Sequence, residues 1–266
     1  MSDWLKQLKR GAERRKDVIL LYGPEGTGKS SFAAHFKDPA FVMSEHESGI
    51  VTLESKGLVP EVGVFPELEK WTDLDELTDE LIAAKDRPAT LVFDTINGLE
   101  ALCHDHVCQV EYDGNFSKRG FLNFQEGFKA SVPYWRRFLG KLDALRNLGS
   151  TIVLLAHSQI TAFKNPDGAD FDTYSPELHD RTWGPTKKFV DLIIFLTFHT
   201  VVESVDQTGK GKGKGTTQRM YYFERSAAHT AKHRHGLPPN MAGTGSAQGD
   251  FESFCKLILN GEKKNK

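Results

Sequence analysis

The stretch Val18–Phe36, VILLYGPEGTGKSSFAAHF, decides how the rest of the chain is read. Val18 to Tyr22 is a continuous apolar run, as expected of a strand buried on both faces. The run breaks at Gly23, and the residues after Lys29 have the composition of a helix start. Between them lies G-x-x-x-x-G-K-S, formed by Gly23, Pro24, Glu25, Gly26, Thr27, Gly28, Lys29 and Ser30, with Ser31 directly behind. Glycines at this spacing let backbone N–H groups turn inward around a phosphate, and the helix N-terminus adds positive potential there. A lysine at this position reaches the β- and γ-oxygens, and the serine is placed to ligate magnesium. Strand, glycine loop and helix together predict a P-loop for a nucleoside triphosphate and Mg2+.

Two further runs match the first. ATLVFDT (89–95) and STIVLLAHS (150–158) are short, β-branched and apolar up to a polar end. The helical pattern YWRRFLGKLDALRNLG between them puts Trp135, Phe138, Leu139, Leu142 and Leu145 on one face, with Gly149 as its stop. Strand, helix and strand in this order predict an α/β fold, a mostly parallel sheet flanked by helices. Asp94, ending the second run, is the carboxylate expected to anchor magnesium; capping the following helix is its other reading. His157, ending the third run, is a candidate γ-phosphate sensor or a satisfied histidine at a strand end. Glu47, in FVMSEHESG, is the first candidate for orienting the attacking water and Glu45 the second, against a plain acidic loop.

The remaining segments organise around this core. Residues 1–16 are basic, with Trp4 and Leu8 on one stripe, and read as an N-terminal arm; 17–260 form one domain and 261–266 a disordered tail. VDLIIFLTFHTVVESV and RMYYFERSA predict a long C-terminal β-hairpin with a glycine-rich tip at 207–216, followed by a short closing helix. A net charge of −2 excludes a globally basic nucleic-acid coat, so any contact with DNA must come from a local patch. One candidate patch holds Lys118 and Arg119 with Phe121, although Phe121, Phe124 and Phe128 also stand at helical core spacing. The tip lysines Lys210, Lys212 and Lys214 are the other. CHDHVC has the atom types for zinc in Cys103, His104, His106 and Cys108, but not the spacing of common zinc sites, so zinc is not expected. Three cysteines, no signal-peptide pattern and no run long enough for a bilayer point to the cytoplasm and away from membranes.

These residues resemble the RecA-like phage nucleotide-binding proteins, an AAA-type group that includes recombination and single-strand-annealing ATPases. The likeness rests on LLYGPEGTGKSSFA, SEHESGIVTL, TLVFDTINGLE, IVLLAHSQI, YSPELHDRTWGPTKKFVDLIIFL and AKHRHGLP, across about residues 17–240. It implies Walker A contacts from Lys29 and Ser30, the Walker B contact from Asp94 and the catalytic carboxylate from Glu47. It further implies Lys232 and Arg234 as basic fingers offered to a neighbouring subunit's nucleotide, hence an oligomer, and a DNA-stimulated ATPase acting on single-stranded DNA in recombination, annealing or replication, in the host cytoplasm if phage-encoded. Two other readings stand beside it. One is a P-loop kinase or nucleotide-metabolism enzyme, for which Arg136 and Arg137 are the mid-chain arginine pair; the other is an ATP-switched module that binds protein partners without DNA.

Overall fold

A computed structural model describes residues 15–44, 49–205 and 211–264. The chain runs through β1 (Val18–Tyr22), α1 (Lys29–Ala33), β2 (Pro39–Met43), α2 (Gly49–Ser55), β3 (Gly63–Val64), α3 (Trp71–Ala83), β4 (Thr90–Asp94) and α4 (Ile96–Tyr112). It continues through α5 (Glu126–Asn147), β5 (Thr151–Ala156), β6 (Ser158–Phe163), β7 (Phe171–Pro176), α6 (Asp180–Phe189), β8 (Leu192–Val205), β9 (Gly211–Tyr222), β10 (Asn240–Ala242) and α7 (Ala247–Lys264).

Among the described residues, eight strands form one sheet in the order β10-β9-β8-β1-β5-β4-β2-β3. From β8 across to β3 every pairing is parallel, and β9 and β10 join as antiparallel neighbours. The expected parallel sheet with a C-terminal hairpin is thus present. β1 explains its own placement. Val18, Leu20 and Tyr22 pack into one core with Trp71, Leu99, Trp135 and Phe138. Ile19 and Leu21 pack into the opposite core with Phe32, Ile50 and Phe254. An apolar run that alternates between two cores needs helices on both faces, and each such side chain contributes about 1.5–3 kcal/mol by leaving water.

Three expectations are corrected. The glycine-lysine stretch is strand from Gly211 onward, paired with β8 from Val205↔Gly211 to Thr200↔Gly215, so residues 211–216 are not a loose tip. Glycine weakens a strand, but a paired backbone needs no side chain for its hydrogen bonds. Helix α7 extends to Lys264, into the segment expected as tail. Finally, α5 begins only at Glu126, and Phe124 and Gln125 before it have φ of 46° and 59°, so the helical register read through Phe121, Phe124 and Phe128 is broken.

β6 and β7 form a separate antiparallel ribbon that leaves the sheet directly after His157. Its alternating half-buried pattern gave no continuous apolar run by which to recognise it.

Candidate nucleotide-binding site

β1 and its parallel neighbour β5 end together, Tyr22 beside Ala156, while β8 runs on past Phe195 to Val205, and the loop leaving β1 lies at that edge. A crevice at the carboxyl ends of parallel strands is where open α/β sheets bind ligands. Gly23 is required there because a Cβ would fall 1.9 Å from the Leu196 carbonyl oxygen of β8. Gly28, immediately before α1, has φ of 95°, a left-handed conformation that favours glycine. Thr27 ties the loop by donating to the Pro24 carbonyl at 2.8 Å. Lys29 is buried, and its Nζ donates to the carbonyls of Gly23 at 2.9 Å and Pro24 at 3.0 Å, so the ammonium is held within the loop.

The Ser30 hydroxyl donates to Asp94 Oδ2 at 2.6 Å, joining the first turn of α1 to the end of β4. The helix cap falls instead to Thr95, whose hydroxyl accepts from the Gly98 N–H at 3.4 Å, so Asp94 faces the loop rather than α4. A serine hydroxyl beside a carboxylate is a hard-oxygen pair, the donor chemistry that suits magnesium. His157 also lines this cleft, and its backbone N–H donates to Asn97 Oδ1 at 2.9 Å; Asn97 in turn donates to the Glu177 carbonyl. The cleft has a volume of about 620 Å³, and Leu53 of α2 closes part of its wall.

Sequence reading missed a cation of this cleft. Arg219 of β9 lines it, and a Cβ on Gly28 would meet its guanidinium at 3.0–3.1 Å. Nothing in RMYYFERSA sets that arginine apart from a solvated strand residue. It reaches the P-loop because β8 lies beside β1 and β9 beside β8.

With this geometry in place, comparison with known families gives a direct result: a family model described as an AAA domain matches residues 15–235. The chain belongs to the AAA domain family. Among curated proteins, none matches the sequence. The protein is therefore a nucleotide-binding P-loop ATPase of AAA type, with the loop, Asp94, His157 and Arg219 all inside the matched span.

Elsewhere in this AAA domain the other candidates separate. Glu45 and Glu47 lie outside the described residues; the chain leaves β2 for them beside Asp94, where the Ser44 N–H donates to the Asp94 carbonyl at 3.2 Å. Lys232 and Arg234 are at the opposite edge of the sheet from their own P-loop. There the Asp191 carboxylate accepts from the Val18 N–H at 3.1 Å, lies 3.9 Å from Arg234, and is held by Arg146 at 2.8 Å. Lys232 is turned into its own chain, donating to the Lys187 carbonyl at 2.7 Å, and burial draws its pKa down. Arg234 is 70% exposed and points outward.

Phe121 is fully buried against Val107, Cys108 and Phe128, so it has no open face on which a base could stack. Lys118 and Arg119 are exposed on the same loop, as are Phe116 and Phe124, the latter 89% exposed. Lys212 and Lys214 lie on β9, and Lys210 is outside the described residues. Cys103 and Cys108 are buried on α4, and Cys103 Sγ is directed at the Ser131 carbonyl. His104 packs edge-on against Phe121 and Phe128, and burial pushes its pKa down to about 4. Arg136 and Arg137 are exposed on α5 and do not line the cleft. Among the described residues no helix is long and apolar enough to cross a membrane.

Proposed function

We propose that this AAA domain is a RecA-like, magnesium-dependent ATP hydrolase of the phage recombination type, whose turnover is coupled to single-stranded DNA and to self-association. The observation that carries the reading is the Ser30–Asp94 contact at 2.6 Å beside the buried Lys29. It joins the two oxygen donors of a magnesium site to the lysine of the same loop. Bound there, magnesium neutralises charge on the β- and γ-oxygens. The loop N–H groups and Lys29 then hold the phosphates and stabilise charge as it develops in the transition state. Glu47 is the group we assign to orient the attacking water, because its segment leaves β2 beside Asp94. The exposed loop carrying Lys118, Arg119, Phe116 and Phe124 supports the DNA reading, combining cations for phosphate with aromatic faces for bases.

The test is ATP turnover by the purified protein, with and without single-stranded DNA, over a range of protein concentrations, with Lys29→Ala as the blank. Stimulation by DNA that steepens with protein concentration is expected. Glu47→Gln is expected to bind ATP without turning it over. Turnover indifferent to DNA would leave the ATPase in place and transfer the coupling to a protein partner.

A further inference from the structure

We propose that Arg219 is a nucleotide-binding residue, whose guanidinium reaches from β9 across the P-loop to take the phosphate at the nucleoside end of a bound di- or triphosphate. The inference rests on the ATP reading of the cleft and adds a contact on its other flank. β4, carrying Asp94, lies two strands from β1 on one side, across β5; β9, carrying Arg219, lies two strands away on the other, across β8. Ser30 and Asp94 would hold magnesium on the β4 side, and the β- and γ-oxygens it serves would lie there with it. A phosphate chain crossing the loop from that side therefore presents its α-phosphate toward β9.

The guanidinium is oriented for such a contact. A Cβ on Gly28 would lie at near-equal distance from its Nη2, Cζ and Nε, 3.0–3.1 Å, which puts the face of the group against the loop beside the cleft that Arg219 lines. Nε is buried and has no hydrogen-bond partner among the described residues. The group is held by charge: Asp250 Oδ2 is 3.6 Å from Nη1, longer than a hydrogen bond. Asp250 is fully buried at the start of α7, and its oxygens are already occupied by the Tyr221 hydroxyl at 2.8 Å, the Thr244 N–H at 2.5 Å and the Thr244 hydroxyl at 2.9 Å. The carboxylate thus fixes the cation without using up its donor fork, and a fork of this geometry matches phosphate oxygens. Asp250 lies beyond the matched family span, so the anchor comes from this chain's own C-terminal helix.

ADP and ATP binding, each titrated by calorimetry in the presence of magnesium, test the assignment. Arg219→Ala is expected to weaken both nucleotides by the same factor, roughly ten- to hundred-fold. Arg219→Lys should recover part of the loss, because it keeps the charge and not the fork. Arg219→Lys, which keeps the positive charge beside the fully buried Asp250, should melt with the wild type while still binding both nucleotides more weakly than the wild type does; this separates the contact from a folding role. Loss for ATP alone would move Arg219 to the γ-phosphate and overturn the assignment, and so would unchanged binding of both nucleotides. Wild-type protein that bound neither nucleotide while Lys29→Ala behaved identically would instead remove the ATP reading itself, and Arg219 with it.

Discussion

Glu100 shows how a single residue acquires a property no local pattern announces. In the sequence it is an ordinary helix glutamate following INGL. In the fold it is buried, accepting from the His179 N–H at 3.1 Å and from the Thr182 hydroxyl. Burial pushes its pKa up to about 7 from an ordinary 4.5, against the lowering effect of those two hydrogen bonds. A carboxyl raised on folding keeps its proton in the native state after the unfolded chain has lost it, so this stability contribution falls as pH rises from about 4.5 through 7. His104, drawn down to about 4 from 6.5, acts in the opposite sense: its contribution is lost as pH falls through that window. Glu100→Gln is therefore expected to gain stability over the wild type between pH 4.5 and 7.5, on the order of 2–3 kcal/mol. Urea unfolding of both proteins at the two pH values measures this, and a pH-independent difference would remove the assignment. The P-loop residues are the contrasting case, since their chemistry is set by spacing along the chain and was readable there.

Helix α5 was legible as an element because its apolar residues recur at helical spacing along one face. Trp135 sits on that face, stacked against Trp71 with ring centroids 6.1 Å apart and donating to the Thr186 hydroxyl of α6 at 2.8 Å. Trp135→Ala should cost about 3–5 kcal/mol, and Trp135→Phe about 1–2 kcal/mol, since the phenyl ring fills most of the space but leaves the Thr186 bond unmade. Denaturant midpoints for the two variants would show the ordering. The start of α5 was less legible. Phe121 stands three residues before Phe124 and seven before Phe128, a helical pattern, but left-handed residues at Phe124 and Gln125 turn the chain. Phe121 goes into the small core under α4 and Phe124 goes to solvent. Spacing cannot reveal a turn made by non-glycine residues at positive φ, because such residues adopt it rarely. β9 misled in the other direction, since its glycines and lysines read as a loop while its backbone is paired with β8.

Across the whole molecule, the sheet assigns each cation to an edge. Lys29 and Arg219 share the cleft, whereas Arg234 projects from the other end of the strands, about 13 Å of β1 away. On the trans-acting reading, Arg234 serves a neighbour's nucleotide. Arg234→Ala and Lys29→Ala should then each lack turnover alone and recover part of it when mixed, because one interface in the mixture pairs an intact loop with an intact arginine. Mixtures no more active than their components would discard Arg234 as a finger. The order of residues along the chain was enough for the P-loop, the three buried strands that frame it, Asp94 and His157 as strand-end groups, and the α/β class, because each depends on contacts or periodicity within a few residues. The position of Arg219 on the P-loop, the burial of Phe121 and Glu100, and the separation of Arg234 from its own cleft depend on strand order and helix packing. Those join residues up to 208 positions apart, and no local pattern encodes which distant strand becomes a neighbour.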